Sequence, residues 1–111
     1  LLLMKDPYGN YVVQYILSKG TWEHARALIQ KLPGNMVSLS AQKFSSNVVE
    51  KCLQMADEEL RAELVTELCA GDVIGRMLHD QYGNYVVQRA LMVSPSSLGM
   101  KLVTAIRPHL P

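Results

Sequence analysis

Tyr8-Gly9-Asn10-Tyr11-Val12-Val13-Gln14 recurs letter for letter at Tyr82–Gln88, and Phe44-Ser45-Ser46-Asn47-Val48-Val49-Glu50 stands between the two. The frame is constant: an aromatic, a small residue, a polar pair, Val-Val, then Gln or Glu. Only the polar positions change. Asn10 to Ser46 is 36 residues and Ser46 to Asn84 is 38. A second segment keeps the same lags, with Leu28, Ile29 and Leu32 becoming Leu64, Val65 and Leu68, then Leu102, Val103 and Ile106. Two unrelated features in one register define three copies of one unit, which is the signature of a solenoid. The copies run 1–34, 35–71 and 72–111, with Pro33-Gly34 and Ala70-Gly71 punctuating the joins.

Each copy carries two clear helical patterns. The first starts near the aromatic and places apolar residues at Val12, Val13, Ile16 and Leu17, at Val48, Val49, Cys52 and Leu53, and at Val86, Val87, Ala90 and Leu91. That spacing makes one buried helix stripe. Asp6 and Asp80 stand where an N-cap belongs, and Ser45 is expected to cap the middle copy. The second pattern covers Trp22–Lys31, Glu58–Leu68 and Ser97–Ile106. A further short helix is predicted over Asn35–Ala41 and Asp72–His79, with a remnant of it at Leu1–Lys5. With no strand pattern and no long loop, the expected fold is all-α: a right-handed α-solenoid of three stacked three-helix repeats. One such unit cannot bury its faces alone. Leu1–Leu3 and the uncapped Ile106–Pro111 therefore suggest a segment of a longer array.

Composition narrows the function. Hydrophobic residues make up 49% of the 111 residues, which argues against disorder. No apolar run approaches the roughly 20 residues that cross a bilayer, and Leu1-Leu2-Leu3-Met4 is too short for a signal peptide. The expectation is a soluble, intracellular chain with no membrane partner. A net charge of +1 does not suit binding by phosphate neutralisation. Any nucleic acid must be held mainly by stacking and base-edge contacts. Cys52 fills the repeat position of Ile16 and Ala90 and reads as a small buried hydrophobe; Cys69 falls at a helix end. His79 and His109 have no metal partner at ligand spacing, so no metal or cofactor is expected. His24 is expected at a packing edge and Trp22 in local packing. No nucleophile–base pair, paired acids or phosphate-cradling glycine loop is present, which argues against an enzyme and a small-molecule substrate.

The polar positions carry the chemistry. Asn10 and Gln14 are four apart and share a side of their helix, with Tyr11 rotated by about 100° from Asn10. The middle copy offers Ser46, Asn47 and Glu50, and the third Asn84, Tyr85 and Gln88. All lie off the Val-Val stripe and are expected to face solvent. A side-chain amide donates and accepts at once, matching a mixed base edge such as that of uracil; an ionised glutamate only accepts, matching the adjacent donors of guanine. Ser46 is short and leaves room for a purine, and Tyr11 and Tyr85 offer faces on which bases stack. Any one triplet alone reads as solvated helix surface. Recurrence with a chemically coherent variant outweighs that reading. Lys5, Lys43, Lys51 and Arg89 lie near this face and read, one by one, as solvated surface.

Asn10-Tyr11-x-x-Gln14, Ser46-Asn47-x-x-Glu50 and Asn84-Tyr85-x-x-Gln88, at this period, resemble Pumilio-type (PUF) RNA-binding repeats, which read one base per helical repeat with two or three side chains. The resemblance covers essentially the whole chain, and the order of the pairs is similar to the last three repeats of the family's array. It implies that Asn10 with Gln14 reads uracil, Ser46 with Glu50 guanine, and Asn84 with Gln88 uracil. Tyr11, Asn47 and Tyr85 take the stacking position, the RNA runs antiparallel to the protein, and the site is 5′-UGU-3′. The resemblance further implies a cytoplasmic regulator of messenger RNA that acts on 3′ untranslated regions and translation with protein co-repressors. Fewer copies than the family's full array imply weaker binding. The competing readings are a protein-binding solenoid of the HEAT or armadillo kind and a family relative acting in ribosome biogenesis. A backbone-gripping asparagine ladder has no reason for the Ser46/Glu50 exchange, and ribosome-biogenesis relatives depart from the base code, which these pairs do not.

Overall fold

The computed structural model describes residues Leu1–Pro111. Each copy folds as three helices. The first copy has α1 (Leu2–Lys5), α2 (Gly9–Lys19) and α3 (Trp22–Ile29). The second has α4 (Met36–Ser40), α5 (Lys43–Met55) and α6 (Glu58–Leu68). The third has α7 (Val73–Leu78), α8 (Gly83–Val93) and α9 (Ser96–Ile106), followed by a single 3-10 turn at Arg107–His109. The chain is an all-α solenoid. Gly34 and Gly71, in the turns leading to α4 and α7, adopt left-handed φ values of 85° and 50°, which glycine reaches without steric cost.

The middle helices α2, α5 and α8 lie side by side, with α5 packed against both of the others. One core of 24 buried apolar residues runs through all three copies. The expected stripe is complete only in α5, where Val48, Val49, Cys52 and Leu53 are all fully buried. In α2 the stripe departs from expectation at Val12, which is 53% exposed although its equivalents Val48 and Val86 are buried. In α8 the departure is at Leu91, 39% exposed against buried Leu17 and Leu53. The reason is stacking order. Residues at the Val12 position are buried in the two copies that another copy precedes, and those at the Leu91 position in the two copies that another copy follows. Trp22, expected in local packing, is 43% exposed, and His24, expected at a packing edge, is exposed as well.

The helix starts are set by side chains. Asp6 Oδ2 accepts from the backbone N–H groups of Tyr8 and Gly9 at 2.9 and 2.7 Å. Asp80 Oδ2 repeats this with Tyr82 and Gly83 at 2.8 and 2.7 Å. Asp57 Oδ1 accepts from Leu60 N–H at 2.9 Å and caps α6. Glu67 closes the middle copy: its carboxylate accepts from Gly34 N–H at 2.6 Å and Met36 N–H at 3.0 Å, tying α6 to the turn before α4 and to its start. At the other pole, the Arg61 guanidinium donates to the Leu53 and Gln54 carbonyls at 2.9 and 3.0 Å, placing a cation at the α5 C-terminus.

Ser45 does not cap the middle copy. It lies inside α5, fully buried, and its hydroxyl donates to the Leu39 carbonyl at 2.6 Å. This corrects the expected role and explains the small residue in the repeated frame. Ser45 occupies the register of Gly9 and Gly83, while Leu39 occupies that of Leu3 and Met77. A Cβ on Gly9 would meet the Leu3 carbonyl at 2.6 Å, and one on Gly83 the Met77 carbonyl at 3.2 Å. The short helix thus presses a carbonyl onto the reading helix in every copy, and either no side chain or a donating one fits there. Ser45→Ala should strand that buried acceptor and cost about 1–3 kcal/mol. Urea denaturation checks this; a loss of only a few tenths would mean that the Leu39 carbonyl finds water.

Candidate nucleic-acid interface

Because α2, α5 and α8 adjoin, their polar sides form one continuous face. Between α2 and α5 an open groove of about 350 Å³ is lined by Tyr11, Gln14, Asn47, Glu50, Lys51, Gln54 and, from α8, Arg89. Four of the nine residues singled out from the sequence therefore meet in one place: Tyr11, Gln14, Asn47 and Glu50. Asn84, Tyr85 and Gln88 hold the same register on α8 but do not line this groove. Tyr11 is 65% and Tyr85 57% exposed, leaving their ring faces open. Asn47 is exposed, and its amide nitrogen lies 3.4 Å from the Lys43 carbonyl.

The first member of each pair does not stand free in solvent as expected. Asn10 is fully buried and Ser46 almost so, while Asn84 is half-buried. Backbone carbonyls are the reason. Asn10 Nδ2 donates to the carbonyls of Asp6 and Pro7, both at 2.9 Å, and Asn84 Nδ2 donates to Asp80 at 2.7 Å. The Ser46 hydroxyl donates to the Lys43 carbonyl at 3.1 Å. Each Asn then accepts, through Oδ1, from the Gln four residues on: Gln14 Nε2 at 3.1 Å and Gln88 Nε2 at 3.1 Å. The Asn is a fixed post that aims the Gln. One Gln N–H is used in this way, leaving its other N–H and its carbonyl oxygen for an incoming group.

Glu50 sits in different electrostatics. Arg89 Nε lies 3.6 Å from its Oε1. Partial burial pushes the Glu50 carboxyl up from its ordinary range, opposed by the positive charge of Arg89. Arg89 was expected to be solvated surface; its place at the carboxylate is a contact that sequence reading missed. The signal was faint, a cation one copy away from the only acidic member of the three pairs.

Asp6 adds a titration. The two N–H groups it accepts hold its carboxyl below the ordinary value. A lowered folded-state value means that the cap contributes in full above the unfolded pKa and is lost as pH falls through the lowered one. The Gly9 amide proton should therefore shift with an acid midpoint below that of a free aspartate. An NMR titration reads it directly, and an ordinary midpoint would deny the bond. Elsewhere, burial pushes the Cys52 thiol up to about 12, leaving it inert, while Cys69 caps the end of α6.

An all-helical solenoid whose parallel middle helices carry amide, carboxylate and aromatic side chains at one register defines a repeat protein built to bind along its face. Family comparison agrees: the description "Pumilio-family RNA binding repeat" matches residues 1–32, 35–69 and 77–106. The chain belongs to the Pumilio family of RNA-binding repeats, a family of binding proteins and not of enzymes. It is 44% identical over 107 residues to Pumilio homolog 12 of Arabidopsis thaliana, covering 96% of this chain and 18% of that protein. Among solved structures it is similar to PUF-8 in complex with PBE-RNA, at a TM-score of 0.89 and 31% identity over 97% of this chain and 33% of the other. It is also similar to the Puf3 RNA-binding domain bound to a Cox17 RNA 3′ UTR recognition sequence, at 0.88 and 33%, over 97% and 30%. The chain spans about a fifth of the length of the curated relatives it matches.

Proposed function

We propose that the chain binds single-stranded RNA with one base per repeat and prefers 5′-UGU-3′. Asn84 with Gln88 takes the first uracil, Ser46 with Glu50 the guanine, and Asn10 with Gln14 the second uracil, the strand running antiparallel to the protein. The observation that carries this reading is the groove itself: Gln14 and Glu50, from neighbouring helices, open into one space beside Tyr11 and Asn47. The aimed Gln amide offers a donor and an acceptor, as a uracil edge requires; the carboxylate offers acceptors only, as guanine N1–H and its exocyclic amine require. Tyr11 and Tyr85 stack bases, each worth about 1–3 kcal/mol, and Asn47 stacks more weakly at its step.

The biological setting belongs to the same proposal: a cytoplasmic regulator of messenger RNA acting through 3′ untranslated regions and translation, together with protein co-repressors. Solved relatives bound to RNA, one on a 3′ UTR recognition sequence, support it. With a net charge of +1, binding should depend only weakly on salt. In a fluorescence titration with short single-stranded RNAs, UGU should bind more tightly than UAU or UCU, and the corresponding DNA should compete poorly. Equal binding of all three RNAs would refute base reading at the middle copy.

A further inference from the structure

Among the three pairs, Glu50 is the only reader with a charge, and the cation that meets it comes from another copy. Position 89 follows the reader Gln88; the same register holds Tyr15 in the first copy and Lys51 in the second. The Arg89 Nε–Glu50 Oε1 distance of 3.6 Å spans α5 and α8, and neither side chain is far into solvent, at 33% and 24% exposure. A carboxylate offers about four lone-pair sites. At 3.6 Å Arg89 meets Oε1 as an ion pair beyond hydrogen-bond distance, so the lone pairs stay open to the two donors of guanine.

We propose that Arg89 is a positioning residue for the middle base: it fixes the Glu50 carboxylate toward the groove and thereby couples the reading of that base to the third copy. This inference rests on Glu50 as the guanine reader. The groups lining the groove around Glu50 are Tyr11 and Gln14 from α2, Asn47, Lys51 and Gln54 from α5, and Arg89 from α8, so the cations near it are Lys51 and Arg89. Partial burial raises the Glu50 carboxyl and Arg89 opposes that rise. Without Arg89, Glu50 takes up a proton at higher pH and becomes a donor as well as an acceptor. Guanine preference should then be lost sooner on acidification.

The test uses the 111-residue chain, its Arg89→Gln and Arg89→Lys variants, and otherwise identical RNAs carrying UGU or UAU, titrated across a pH series. Arg89→Gln should lower the guanine-to-adenine affinity ratio by roughly fivefold near neutral pH, the upper range for a part-exposed ion pair. Its ratio should also collapse at a higher pH than that of the parent. Arg89→Lys should restore the pH profile by returning the charge, and it serves as the folded comparison if Arg89→Gln melts early. An unchanged ratio and profile in Arg89→Gln overturns the proposal. So does an equal loss for both RNAs with a shallower salt dependence, which would make Arg89 a phosphate contact. If the parent chain itself shows no guanine preference, the reading of Glu50 fails instead, which separates the two failures.

Discussion

Glu50→Gln should turn the preferred middle base from guanine to adenine. The carboxylate accepts from two adjacent donors and rejects adenine, whose edge sets an acceptor beside a donor. An amide at the same place donates to one and accepts from the other. Ser46 is unchanged and still leaves room for a purine. A well-formed bidentate contact discriminates by about 1–3 kcal/mol, so the UGU-to-UAU ratio should swing by roughly one to two orders of magnitude. Competition binding with the two RNAs measures it. A variant that still favours guanine would show that Glu50 is not what reads the base.

The largest effect on folding should come from Leu53→Ala. Leu53 is fully buried in α5, the helix that both outer copies pack against. Removing its side chain leaves a cavity that the flanking helices cannot both close, at a cost of about 2–5 kcal/mol. Against a total of about 5–15 kcal/mol for a native domain, that is a large fraction. Leu91→Ala is the control, because it stands at the same repeat position but is 39% exposed. It should cost less than half as much in denaturant unfolding. Equal losses would mean that repeat position, and not burial, sets the energetics.

The fold was legible because two unrelated segments kept one register, and a repeated register dictates repeated helices. The short helices at Met36–Ser40 and Val73–Leu78 fell inside the windows predicted for them. Burial at the outer copies was not legible. A stripe read from sequence treats every copy alike, and only geometry shows that Val12 and Leu91 are exposed where their counterparts are buried. At the candidate site, residue types and spacing gave the members of each pair but not the division of labour within it. Whether an asparagine amide meets solvent or the carbonyls of the preceding turn depends on chain direction before the helix. Asp6 and Pro7 set that direction through contacts no periodicity encodes. Ser45 illustrates the same limit, since its partner Leu39 sits six residues back in a different helix.

The tethered asparagines have a consequence for anyone rewriting the message this scaffold is proposed to recognise. Position 10 is a hinge pin of its own helix entrance, anchored to the Asp6 and Pro7 carbonyls, so exchanging that letter alone would loosen the mounting along with the spelling. Position 46 is lighter furniture, a hydroxyl held by one carbonyl. New vocabularies should therefore be transplanted as whole cassettes, from the capping aspartate through the second reader.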